Sequence, residues 1–212
     1  MKHELGIARP AQVQEVWPGQ YEIFSWIEYA VSIPYPTYLI TTGKENGKGN
    51  ACWHSWGCFS GEGRAYHSVL VLSKAGHTLA NVLRTGEWCI NLPTLAQQEM
   101  CGKTIELNSG DNDEIVDAGF TAEPSVVVDS PRIAECPINL ECTLEWHRPL
   151  AEGSSQRIVV GQVVHVAMDE CACVADPHRR LKNLNTMFNL RSTLDPLTGE
   201  SRPGRLAVLD LP

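Results

Sequence analysis

The chain has no apolar run long enough to cross a bilayer, and its start, Met1-Lys2-His3-Glu4, lacks the apolar core of an export signal. Both absences point to a cytoplasmic protein with no membrane partner. Positive charge is scarce: 17 Lys and Arg face 25 Asp and Glu, for a net charge of −8. A nucleic-acid surface needs clustered cations, so the charge argues against that partner class but not against a small local anion site. No P-loop, no G-x-G-x-x-G dinucleotide motif and no nucleophile elbow occurs. No spacing of histidines and carboxylates singles out an acid–base pair, so no catalytic side chain is assigned. Internal repeats, low-complexity tracts and flexible linkers are also missing, and 212 residues suit one domain with a sizeable core.

Cysteine is plentiful by contrast, with eight residues. An even count suits a disulfide framework in a small secreted chain, but this chain is too long to need staples and has no export signal. Free thiols are expected, with Cys89, Cys136 and Cys142 inside apolar runs as small core residues. Cys171-Ala172-Cys173, with His178 downstream, has neither thioredoxin nor zinc spacing, and reads as two buried thiols on one side of a strand.

Tyr38–Thr42 is rich in β-formers and predicts a strand, the glycines of 43–49 a hairpin loop, and Asn50–Phe59 a returning strand. Ala30–Ile33 reads as a further strand before the Pro34-Tyr35-Pro36 break. Ser68–Leu72 reads as a buried strand. Leu79, Val82 and Leu83 lie at helical spacing over Thr78–Arg84, and Gly86 is a natural stop. Glu87–Leu92 follows as a strand. Thr94 with Gln97 forms a capping-box pattern for a short helix through Met100. Gly102–Asn112 reads as loop, and Asp111 with Glu114 opens a short helix that Gly119 closes. Ile138–His147 and Arg157–Met168 complete six or seven strands, Asp176 opens a basic helix, and the tail from Ser192 wraps a surface or a partner. This pattern predicts a closed or nearly closed antiparallel barrel with helices outside.

Two stretches bear on binding. Ser73-Lys74-Ala75-Gly76-His77-Thr78 lies where the helix begins, with Asn81 one turn on. A helix start offers unpaired N–H groups and a positive dipole end, and the hydroxyls and Lys74 add donors and charge for a phosphate. The same residues also suit the plainer work of capping and solvating a helix. Asn50-Ala51-Cys52-Trp53-His54-Ser55-Trp56-Gly57 would let a flat heterocycle lie against backbone, or would simply be an aromatic-rich barrel strand. Cys52, His54 and Cys58 are metal-ligand types, but they alternate without a fourth ligand or C-x₂-C pairing, so no metal is assigned.

The order of Pro36, Leu39-Ile40-Thr41-Thr42, a Gly/Lys turn, Asn50-Ala51, Ser55-Trp56, Lys74, His77-Thr78-Leu79-Ala80-Asn81, Thr85-Gly86-Glu87 and Ile90-Asn91-Leu92-Pro93 resembles the flavin reductase-like family, flavoredoxin in particular. Ala118-Gly119-Phe120, Ser130-Pro131-Arg132-Ile133, Leu140-Glu141-Cys142 and Val160-Gly161-Gln162-Val163 continue it over roughly 34–169. The resemblance implies a mainly β FMN-binding split barrel with flanking helices, in a homodimer holding FMN at the subunit interface. It implies an N-terminal extension over 1–34, a core over 35–170, and a C-terminal segment over 171–212 that packs on the core or on a partner subunit. By position, Asn50, Ala51, His54, Ser55 and Trp56, with Cys52 among them, border the isoalloxazine. Ser73, Lys74, His77, Thr78 and Asn81 surround the phosphate, and Asn91 either touches FMN or braces the barrel. The implied activity is electron transfer from NAD(P)H, a transient donor, through FMN to a flavin, protein or metal acceptor. A non-catalytic FMN carrier or flavin store would use the same residues. The glycine-rich turn over 61–65 departs from the proline pair frequent in relatives.

Overall fold

The computed structural model describes residues 1–211. Seven strands form its main sheet: β1 (Tyr38–Gly43), β2 (Gly49–His54), β3 (Gly57–Glu62), β4 (Ala65–Ser73), β5 (Glu87–Leu92), β6 (Ile138–Pro149) and β7 (Gln156–Met168). Their order is β2-β1-β5-β6-β7-β4-β3, with every neighbouring pair antiparallel. The two edge strands, β2 and β3, are consecutive in the chain and joined only by Ser55 and Trp56. A two-residue link cannot span a flat sheet of this width, so the sheet curls until its edges meet at that corner. The edges do not pair with each other, which leaves the barrel split.

One strand was expected over Asn50–Phe59, and the corner divides it. The first half pairs with β1 (Ile40↔Cys52) and the second with β4 (Cys58↔Val69). Gly57 permits this change of partner. A Cβ there would lie 2.0 Å from the Tyr38 hydroxyl and 2.8 Å from the Val69 carbonyl. Gly161 on β7 works the same way, with the Trp88 ring occupying the space a side chain would fill. The core gathers Tyr38, Ile40, Leu70, Leu72, Trp88, Ile90, Leu140, Cys142 and Val159 from the strands. Leu79 and Val82 of helix α1 (His77–Thr85) join them. Gly86 ends α1 in the left-handed region at φ 75°, as the sequence suggested.

The excursion between β5 and β6 differs more from expectation. The Thr94–Gln97 capping box forms, but the helix α2 (Gln98–Glu106) runs through Gly102 where a loop was expected. Cys101 and Thr104 are the residues it buries, and that burial outweighs the modest cost of one helical glycine. The next helix, α3 (Glu114–Asp117), is capped by Asp113, which accepts from the Val116 N–H, and not by Asp111. A further helix, α4 (Pro177–Leu184), opens at Asp176 as expected.

Asn91 on β5 braces this excursion. It is 0% exposed. Its Nδ2 donates to the Leu39 carbonyl (3.1 Å) and Thr41 Oγ1 (3.0 Å), and its Oδ1 accepts from the Ile133 N–H and Asn139 Nδ2 (both 2.9 Å). With its hydrogen-bonding capacity spent inside the protein, Asn91 is a structural tie. Glu141 acts similarly, with its buried carboxylate accepting from the N–H groups of Val126, Val127 and Val128.

The chain divides into two compact units: a larger one of Thr37–Met187 with the final residues, and a smaller one of Met1–Pro36 with Phe188–Ala207. In the smaller unit, Val13, Trp26 and Leu194 form the core, and Trp26 donates its indole N–H to the Ile7 carbonyl (2.9 Å). Ala30–Ile33, expected as a strand, instead contributes to the end of a helix, Trp26–Val31. Ser25 caps that helix and Ser32 closes it in the left-handed region, so local capping outweighs the β propensity of Val31 and Ile33.

Candidate cofactor site

The helix start of α1 is open. Gly76 occupies the cap position with no side-chain hydrogen bond, and no acidic residue sits in the first turn. Ser73 and Lys74 are exposed in the turn ahead of it, where Ser73 Oγ accepts from the Ala75 N–H (3.2 Å). An uncapped nine-residue helix presents unsatisfied N–H groups and the positive end of its dipole.

Thr78 and Asn81, expected at the phosphate, also make internal bonds. Both are buried. Asn50 Nδ2 donates to Thr78 Oγ1 (3.0 Å), and Asn81 Nδ2 donates to Thr42 Oγ1 (3.0 Å). These bonds lock α1 onto β1 and β2 beneath the open helix start. The Cys52 thiol also meets the Thr78 hydroxyl, and burial pushes that thiol up to about 11.

The second stretch forms the corner itself. Ala51 on edge strand β2 turns its N–H outward to Glu114 Oε2 (2.9 Å), and Gly49 turns its N–H to Asp113 Oδ2 (3.0 Å). His54 is buried, with Nε2 3.0 Å from the Trp56 carbonyl, and its ring lies between those of Tyr38 (5.8 Å) and Trp56 (5.7 Å). Ser55 is buried and Trp56 half-buried at the link. The Trp53 indole N–H is buried without an acceptor. The corner is therefore aromatic and holds a donor without an internal partner.

Sequence reasoning missed Lys44 and Glu114. The Lys44 ammonium donates to the Ser109 and Asn112 carbonyls (both 2.7 Å) and lies 2.7 Å from Glu114 Oε1. The two side chains are 6% and 2% exposed. Nothing local marks them, because a Lys in a Gly/Lys hairpin and a Glu after a helix cap both read as solvated. Only the packing of α3 against β2 buries them together.

The cysteine expectations divide. Among the described residues all eight are free, and Cys89, Cys101, Cys136 and Cys142 are buried. Cys171 and Cys173, expected to be buried on a strand, are exposed, Cys171 on a short 3₁₀ turn, Glu170–Ala172, and Cys173 just after it, while Ala172 is the residue turned inward. The described residues contain no group of three or more His, Cys, Asp or Glu placed to hold a metal. No described helix is long and apolar enough to cross a membrane.

Comparison with known proteins gives a consistent picture. An uncharacterized protein of Methanothermobacter thermautotrophicus is 31% identical over 143 residues, 65% of this chain; the chain spans 65% of that relative's length. Nitrilotriacetate monooxygenase component B of Bacillus cereus superposes with a TM-score of 0.75 at 18% identity, over 100% of this chain and 98% of its own. A protein of Shewanella frigidimarina assigned as a flavin reductase with a split barrel domain gives 0.72 at 19% identity, over 93% and 96%. Flavoredoxin of Desulfovibrio vulgaris gives 0.67 at 18% identity, over 84% and 90%. At such identities these likenesses establish the split-barrel fold. The flavin reductase like domain matches residues 30–184, from the last turn of the first-unit helix through the whole barrel to the end of α4. The chain belongs to the flavin reductase-like family.

Proposed function

We propose that the protein binds FMN and is an oxidoreductase that takes electrons from NAD(P)H and delivers them to a flavin, protein or metal acceptor. The observation that carries this reading is the open start of α1, uncapped and free of first-turn acids, beside exposed Ser73 and Lys74. That arrangement suits a phosphate. The aromatic corner at His54, Ser55 and Trp56, with the unpartnered Trp53 indole N–H, suits a flat heterocycle with polar edges. The residues thus fit the cofactor that the family resemblance implies.

In this reading Ser73 and Lys74, with the N–H groups of the first turn, hold the phosphate. Thr78, Asn81 and Asn50 act behind them, fixing α1 against β1 and β2 so that the N–H groups keep their aim. His54, Ser55 and Trp56 border the ring. Bound FMN supplies hydride and electron chemistry that no protein side chain offers. The chain binds and orients it and excludes water, and Lys or backbone N–H groups near the ring stabilise negative charge. Glu114 lies close to the helix start, but Lys44 neutralises it and keeps anion binding favourable.

The protein works as a homodimer with the cofactor at the interface. Exposed Trp146, Val164 and Val166 on β6 and β7 offer apolar surface for such contact. Light scattering is expected to give twice the 23.4 kDa chain mass. A stable FMN-containing monomer would remove the interface site.

The deciding experiment is the visible spectrum of the FMN-reconstituted protein, titrated anaerobically with NADH and NADPH. Bleaching of the flavin band is expected with at least one. A band that persists with both yet bleaches with dithionite would establish an electron carrier or flavin store. Failure to take up FMN would end the proposal.

A further inference from the structure

Glu114 Oε1 and His77 Nδ1 are both buried, and His77 Nδ1 has no hydrogen-bond partner. They face each other at 3.6 Å, a few tenths of an ångström beyond hydrogen-bond length. The Lys44 ammonium lies at ion-pair distance from the same oxygen (2.7 Å), but the bonds it makes with good geometry go to the Ser109 and Asn112 carbonyls. Glu114 Oε2 is occupied by the Ala51 N–H. Oε1 pairs with Lys44, and a carboxylate oxygen keeps a second lone pair, which can take the His77 Nδ1 proton if the ring closes the remaining gap. The His77 side chain is 40% exposed although its Nδ1 is buried, so the edge of the ring reaching solvent carries Nε2. His77 is the first residue of α1, at the open helix start.

We propose that Glu114, held in place by Lys44, is a positioning residue for His77: it takes the Nδ1 proton and turns Nε2 toward the anion at the start of α1. This rests on the FMN reading above and adds to it a named support. With Nδ1–H committed to Glu114, Nε2 carries a proton only in the imidazolium form, so a bound phosphate selects that form and the ring donates Nε2–H to it. The ionisable group against the ring is Glu114 from the excursion, which in turn pairs with Lys44 from the first hairpin and lies near Cys52 of β2; Lys74 precedes His77 by three residues in the turn. Glu114 also ties the Ala51 backbone on the ring side of the site to His77 on the phosphate side.

The first test is ¹⁵N NMR of selectively labelled histidine in the unaltered, ligand-free protein, at a pH where the ring is neutral. The expected state is the Nδ1–H tautomer, and an Nε2–H tautomer overturns the proposal. Adding FMN should give a doubly protonated His77 ring. The second test is a binding cycle using His77→Gln, the joint Lys44→Met/Glu114→Gln variant, which leaves no lone buried charge, and all three changes together. Each is expected to weaken FMN binding about tenfold, and the combined variant no further than His77→Gln alone. Additive losses would show that Glu114 acts independently of His77 and overturn the proposal. Thermal melts of the ligand-free variants separate lost folding from lost positioning. If the unaltered protein binds no FMN, the functional reading fails, and the tautomer measurement still decides the role of Glu114.

Discussion

Replacing Asn91 with Leu removes the tie between the barrel and the excursion while keeping side-chain volume close to constant. The change strands the Ile133 N–H and one of the two Asn139 Nδ2 protons, since Asn139 keeps its bond to the Ile133 carbonyl (3.1 Å). The Thr41 hydroxyl keeps the Pro131 carbonyl as partner. Two stranded buried donors at about 1–3 kcal/mol each give a loss of about 2–6 kcal/mol. Relaxation of the Ile133 segment toward water favours the lower half of that range, so about 3 kcal/mol is expected. For a chain of this size that lowers Tm by roughly 6–12 °C. Urea unfolding of the ligand-free protein is the assay, with the midpoint shifted and the slope unchanged. FMN affinity of the folded fraction should stay at the unaltered value, because Asn91 is spent inside the protein. A loss under about 1 kcal/mol would refute the stranded-donor argument. Normal stability with lost FMN binding would reassign Asn91 to the cofactor.

Four further outcomes are expected. Burial raises the Glu141 carboxyl, but the three valine N–H groups outweigh it and hold the group below the ordinary glutamate range. Its stabilising contribution is therefore present above roughly pH 4 and is lost as pH falls below that. An acid-unfolding curve for Glu141→Gln should be flatter across that interval, and an unchanged slope would contradict the assignment. At neutral pH a thiol reagent should label Cys58, Cys171 and Cys173 quickly and the other five slowly, since burial pushes Cys52 to about 11 and Cys101 and Cys142 to about 12. Peptide mapping reads the order, and early labelling of Cys142 would contradict the packing. Gly57→Ala drives a methyl into the Tyr38 hydroxyl and should cost about 1–3 kcal/mol in a melt. Lys74→Ala should weaken FMN binding by about 1 kcal/mol at low salt and less at high salt, as an exposed charge does, and a salt-independent loss would exclude a phosphate contact.

The sequence alone determined the strands of the barrel, because their alternation and glycine punctuation are local properties of the chain. It also determined the start and stop of α1 and the Thr94–Gln97 capping box, where a side chain answers a backbone group three residues away. The resemblance, over roughly 34–169, lies within the residues 30–184 that the family match covers. Only tertiary structure divided Asn50–Phe59 at Ser55-Trp56, since the division comes from a change of strand partner that β propensity does not record. Tertiary structure also decided the partners of Thr78 and Asn81, because their hydroxyl and amide meet Asn50 and Thr42 across elements distant in sequence. The pairing of Lys44 with Glu114 lay outside local reasoning, and between the two roles the resemblance left open for Asn91 only the packing shows its bracing bonds. A buried ion pair and a saturated amide are defined by what closes over them, and their partners lie some 40 to 70 residues away along the chain.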